Sequence, residues 1–333
     1  MGIKLRTPAG GSLELTVTNL GTDEVLTLEP VIDRPTKESP TSIKVNGNVL
    51  TIPSPVAGTD YYFSLHAITD TKQPDTIGGF HYGLVASGEA PTGNKTEADM
   101  VKLRGINAYS IWTKWFRPVS NPEGMVYILG KWYDIYLLNS EHIANGTSKA
   151  GLTIAGGGTD HGRAIPKIPL EYGGDGSINY GAFKWFHATE IGISHSKQLI
   201  SYEEFMGIAY GVVEGTDSST VGETVVGAVE HYPELMSKFG IEQATGTQYI
   251  WGADVGGNRD EGSITWDWRD KLDGRGQIYS LHDNHITAVR LGGNRGNGVN
   301  AGSRCSDWNV CVWHSGWNIG CRFASDHRQN GGM

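Results

Sequence analysis

Strong helix signals in this chain are confined to one stretch, residues 182–214, and the sequence around it is punctuated by glycine, 47 in 333 residues. A chain built this way must place most of its backbone in short strands and ordered turns. Within the stretch, Ser201-Tyr202-Glu203-Glu204 reads as a capping box, with Ser201 as N-cap and Glu204 returning the bond. Phe205, Ile208, Ala209 and Val212 then fall on one helical face, and a second helix is expected over 184–193. The length exceeds one typical domain, so two or three cores are expected.

The first hundred residues read as β. Leu13, Leu15 and Val17 alternate with polar partners, and Val25, Leu26 and Leu28 follow a turn. Residues 43–52 (IKVNGNVLTI) predict a hairpin in which Asn46-Gly47 supplies the positive φ angles of a two-residue turn. Residues 58–68 give a further strand, and 84–104 read as a polar linker or long loop. From about Ile106 aromatic and β-branched residues become dense, with a turn at 121–124.

Composition excludes several function classes. A formal net charge of −9 and the lack of a basic stripe disfavour nucleic acid as a partner. Residues 1–11 lack the apolar core of a signal peptide, and Arg6 breaks a myristoylation pattern. No apolar run is long enough for membrane insertion. The three cysteines, Cys305, Cys311 and Cys321, lack the spacing of a zinc site and are odd in number, so they read as buried or incidental thiols.

Candidate chemistry is sparse. His282 and His285 invite a metal reading but have no third ligand nearby, so solvated loop side chains are expected. Cys311 and His314 could form a nucleophile pair, yet no orienting acid can be named. The glycine runs at 156–159 and 173–176 lack the lysine of a phosphate loop and read as turns. The tripeptides through which sugar-binding lectins coordinate calcium are missing. No catalytic residue, metal ligand or cofactor is therefore assigned.

The informative stretch is 291–327. Between Asn294 and His327 there is no Lys, Glu, Gln or Met, although Lys and Glu abound on ordinary surfaces. Instead Arg, Gly, Asn, Val, Asp, Cys and His are interleaved with fixed-looking tryptophans. Every one of these can be written by a codon ending in C whose first two bases are free. An Asn codon altered at its adenines reaches all of them and never Lys, Glu, Gln, Met or Trp. A merely biased Gly/Asn-rich loop is the alternative.

With that pattern in place, the chain resembles the variable proteins of diversity-generating retroelements, among them receptor-binding tail-fibre proteins of phage. The likeness runs from about Val45 to His327. Its marks include Val45-Asn46-Gly47, residues 57–61 (AGTDY) and 78–82 (GGFHY), Phe116-Arg117-Pro118, residues 134–138 (DIYLL), 146–149 (GTSK) and 173–176 (GGDG). It closes on Gly302-Ser303-Arg304, Trp308-Asn309, Asn318-Ile319-Gly320 and Asp326-His327.

The resemblance implies an α+β fold, a C-type-lectin-like domain with two helices and short strands preceded by a small β-sandwich. The expected division is a short N-terminal β segment at 1–40, a sandwich-like domain and linker at 41–104, and the lectin-like domain at 105–333 with its variable region at about 294–319. It further implies a hypervariable, ligand-binding surface at Arg295, Gly296, Asn297, Gly298, Val299, Asn300, Asp307, Asn309, Val310, Cys311, His314, Gly316 and Asn318. Arg304, Trp308, Trp313, Trp317 and Arg322 are expected to form the frame beneath it. The implied partner is a host cell-surface protein or glycoconjugate, the implied assembly a homotrimer, and the implied location the tip of a virion tail fibre. Residues 1–40 are short for the β-prism that helps hold such trimers. The rivals are a formylglycine-generating-enzyme-like oxidase on the same scaffold and a cellular surface display protein.

Overall fold

The computed structural model describes residues 34–223, 227–257 and 286–328, and the backbone of the strands Leu13–Val17, Glu24–Leu28, Trp266–Arg269 and Ile278–Leu281. His282 and His285 lie outside the described residues.

The Asn46-Gly47 turn forms as its residues dictate. Both φ angles are positive, 47° and 82°, and Val45 pairs with Asn48 across the hairpin Ser42–Val45/Asn48–Thr51. Thr36–Ser39 adds a third strand. A second sheet orders Ile68–Thr69, Thr59–Phe63, Gly78–Tyr82 and Trp112–Thr113. Ile43, Val45 and Leu50 of the first sheet share one buried cluster with Tyr61, Phe63 and Phe80 of the second. Within the second sheet Gly78 permits a close approach, because a Cβ there would stand 2.3 Å from the Trp112 carbonyl oxygen and 2.5 Å from the Phe63 ring. The strand Trp112–Thr113 belongs to this sheet, so the packing runs past the expected boundary at 104/105.

Residues 84–104 are not simply a linker. Glu97–Leu103 is a helix opened by a capping box in which Thr96 and Asp99 exchange bonds. The pattern was present in the sequence with Asp in the place usually held by Glu. Met100 and Leu103 bury against Val85 and Met236, and Lys95 donates to the carbonyls of Gly211, Pro233 and Met236.

The two expected helices form as Trp185–Ser194 and Tyr202–Ile208, and the Ser201/Glu204 capping box closes at 3.0 and 3.2 Å. Phe205, Ile208, Ala209 and Val212 are all buried, with Ile135, Ile200, Ile250, Val289 and Leu291. One four-stranded sheet orders Met125–Ile128, Lys131–Asp134, Phe323–Asp326 and Gln198–Leu199, so the C-terminal strand lies inside it. The other orders Ser306–Asp307, Ile286–Leu291, Tyr249–Gly257 and Ile319–Gly320. Ile286–Leu291 runs antiparallel along one side of Tyr249–Gly257, and Ile319–Gly320 runs parallel along its other side. Residues 292–318 thus leave and re-enter the same sheet, both ends held by the backbone of a single strand.

Candidate functional site

Three loops make up the surface between those anchors. The first, 294–300, is closed by its own asparagines: the Asn294 side chain accepts from Gly296 N–H at 2.8 Å, and the Asn297 side chain accepts from Asn294 N–H at 2.6 Å. A short 3-10 turn, Gly298–Asn300, follows, and Val299 stands 86% exposed at its tip. Carboxylates from residues 214–223 hold the loop and its exit. Asp217 accepts from Gly298 N–H at 2.7 Å while capping its own short helix at Thr220. Glu223 accepts from Arg295 Nε at 2.8 Å, and Glu214 accepts from Ser303 N–H at 2.8 Å.

The second loop carries Asp307, Trp308, Asn309 and Val310. Arg290 pairs with Asp307 in the ladder, and Ala288 N–H donates to the Val310 carbonyl at 3.1 Å. Two steps along one chain are thus matched by three along the other, which is a bulge. Three expected roles are corrected, those of Val310 and Trp308 at the bulge and that of Arg304 before it. Val310 turns inward and is buried with Tyr249, Trp251 and Val312, so it belongs to the core and not to the display surface. Trp308 turns outward, 41% exposed, with its indole N–H on Ser306 Oγ at 3.2 Å and its ring edge toward Tyr202. Arg304 is likewise exposed, and its backbone carbonyl, not its guanidinium, holds the Tyr202 hydroxyl. Neither Trp308 nor Arg304 lies beneath the surface as the sequence reading expected.

The third loop, 311–318, rests on the glycine run at 156–158. Gly157 donates to the Gly316 carbonyl at 3.0 Å and accepts from Ser315 Oγ at 2.9 Å. A Cβ on Gly157 would lie 2.4 Å from Ser315 Oγ and 2.5 Å from Gly316 N, so the loops can touch only because the residue is glycine. His314 is exposed, while Cys311, Gly316 and Asn318 are partly covered. Trp313 packs against the core cluster of Val310 and Trp251. Trp317 lies against the His161 ring, centroids 4.2 Å apart, and His161 in turn meets Arg295 at 3.1 Å.

Just past the third loop Arg322, 1% exposed, donates to the carbonyls of Asp134, Ile135, Glu242 and Gln243. Burial lowers its pKa to about 10. At the centre of the surface Arg290 lies over the Tyr249 ring, 4.6 Å from its centroid, and reaches Asp307 and Asn309, the latter at 3.1 Å. The Asn297 side chain hydrogen-bonds the Tyr249 hydroxyl from the first loop. Burial, with Arg290 adding to it, lowers the pKa of His314. Burial pushes the Cys305 thiol up to about 11 and raises Cys321 well above its ordinary value. Among the described residues no group of three or more His, Cys, Asp or Glu could hold a metal ion.

Tyr249, Arg290, Asp217, Glu223 and the glycine run were missed by sequence reasoning. Two had a signal. Asp217-Ser218-Ser219-Thr220 is an N-cap pattern, and Arg290 is the lone charge in the strand Ile286–Leu291.

A tail fiber receptor-binding protein of Bordetella phage BPP-1 is 33% identical over 322 residues, spanning 86% of this chain and 78% of that protein. The chain belongs to this family. Solved structures agree. The Major Tropism Determinant M1 variant superposes with a TM-score of 0.72 at 30% identity, covering 88% of this chain and 83% of that one. The P3c variant gives 0.74 at 28% identity, covering 94% and 92%. The fold is accordingly C-type-lectin-like, as the resemblance implied. No protein-family model matches the chain. Among the described residues no helix is long and apolar enough to cross a membrane.

Proposed function

We propose that this family member is a non-catalytic host-attachment protein. It binds a host cell-surface protein or glycoconjugate through the surface formed by residues 294–318, and it is carried as a homotrimer on a virion tail fibre. The observation that carries the reading is the anchoring of this segment. Both its ends are strands paired to Tyr249–Gly257, and Arg322, just past its exit, ties the chain to the carbonyls of Asp134 and Glu242. Side chains that point outward from loops held in this way can change with little effect on folding, since exposed substitutions usually shift stability by less than about 0.5 kcal/mol. Arg295, Gly296, Asn297, Gly298, Val299, Asn300, Asp307, Asn309, Cys311, His314, Gly316 and Asn318 are the positions proposed to vary. The names of the similar structures, variants of one tropism determinant, support diversity at such a surface.

Few large anchors occupy the surface in this copy, so a single site binds weakly and several copies on one particle supply avidity. The test replaces the proposed variable residues with those of another natural family member and measures binding to whole host cells, with and without EDTA. A changed target with unchanged circular dichroism and oligomeric state supports the reading. Equal binding of both forms to one target moves recognition elsewhere, and loss of binding only with EDTA makes the site a metal-dependent lectin.

A further inference from the structure

Two charged side chains of the constant frame lie buried beneath the variable loops, and both meet a counter-charge from a variable position. Glu223, with 2% of its side chain exposed, receives Arg295. It also has a constant cation nearby, since Arg163, fully buried, stands 3.9 Å away. Arg290 has no such reserve. Its side chain is 10% exposed, its Nε has no hydrogen-bond partner, and its contacts are the Tyr249 ring, Asn309 and the carboxylate of Asp307. Among the described residues, Asp307 is the one acid paired with it.

The residues that the adenine-derived codons can write make this asymmetry informative. Glu cannot be written, so Asp is the one acidic residue available at position 307. A frame that needed its arginine neutralised from within would not entrust the task to a position where nearly every change leaves the charge bare. Asp307 is itself partly exposed, at 21% of its side chain against 10% for Arg290.

We propose that Arg290 is a constant anion-binding centre of the receptor surface, plugged in this copy by Asp307 and opened to a ligand carboxylate in copies that carry a neutral residue there. The guanidinium presents a planar fork suited to a carboxylate, and the Tyr249 face beneath it fixes its plane. The inference rests on the variable-surface reading above and deepens it. Diversification at position 307 would then switch one ionic contact on or off without touching the residue that makes it. The carboxylate could be borne by an acidic peptide or by a uronic acid, and both present the same group.

The test uses the full chain as parent, Asp307→Asn, Asp307→Ser, and Asp307→Asn combined with Arg290→Gln, all checked for folding by thermal melt. Each is titrated by intrinsic fluorescence with an acetylated, amidated triaspartate peptide and, separately, with a hyaluronan tetrasaccharide. Both single variants are expected to bind at least one probe about tenfold more tightly than the parent, and to lose that gain as salt rises. The double variant is expected to return to the parent's affinity, and the two probes separate a peptide source from a glycan one. Single variants that bind no better than the parent, or a gain that survives Arg290→Gln, overturn the proposal. Either result leaves the exchange of variable residues on host cells as an independent test of the surface itself.

Discussion

The buried guanidinium of Arg322 donates from Nη1 to the main-chain carbonyl of Asp134, 2.8 Å away. It therefore ties the exit of the segment 294–318 to a strand far away in sequence. Because Arg322 also reaches the carbonyls of Ile135, Glu242 and Gln243, its loss strands several buried acceptors together. Arg322→Met is expected to cost about 3–5 kcal/mol in urea unfolding, with a fall in host-cell binding that tracks the loss of folded protein.

Position 310 separates core from display. Val310→Asn is expected to cost about 2 kcal/mol or more, because it places an amide among Tyr249, Trp251 and Val312. His314→Tyr, at an exposed neighbouring site, is expected to cost less than about 1 kcal/mol. Paired urea melts check the ordering, and equal costs would return Val310 to the set proposed to vary.

Gly157→Ala tests the shelf beneath the third loop. Its Cβ would overlap Ser315 Oγ and the Gly316 backbone, so either the loop shifts or both backbones strain. A loss of about 1–3 kcal/mol is expected, accompanied by altered ligand binding although position 157 lies outside the segment 294–318. Unchanged stability and binding would show that the two loops are not coupled.

His231 makes stability fall on the alkaline side. Burial lowers its pKa, but Glu242 and Glu89, hydrogen-bonded to its two nitrogens at 2.8 and 2.7 Å, outweigh that and hold it at about 10, above the ordinary 6.5. A raised folded pKa means the contribution is fully present below pH 6.5 and is lost as pH climbs toward 10. Lys95 and Lys37, both lowered to about 8 by burial, act in the opposite sense between about 8 and their ordinary 10.5. The parent is therefore compared with His231→Gln. The gap between their unfolding free energies is expected to be widest at pH 6 and to shrink steadily to pH 10. A gap independent of pH would rule out a charged imidazole between the two acids.

The local grammar of the chain was legible from its residues: the Asn46-Gly47 hairpin, the Ser201/Glu204 box and the buried face of Phe205, Ile208, Ala209 and Val212. These depend on backbone preferences and spacings within a few positions, which any sequence carries openly. The unusual residue set of 294–318 was equally open, because it is a matter of composition. Which of those residues face outward was not. Val310 and Trp308 were misplaced because one extra residue opposite Val289 reverses the alternation of the strand, and a bulge is decided by the neighbouring strand and not by the bulged one. The carboxylates of Asp217 and Glu223, the glycine shelf at 157 and the guanidinium of Arg290 reach the loops from distant parts of the chain, between 17 and 158 positions away. Contacts of that range leave no periodic trace in a sequence, so only the packed structure could bring the Arg290 guanidinium and the Asp307 carboxylate face to face.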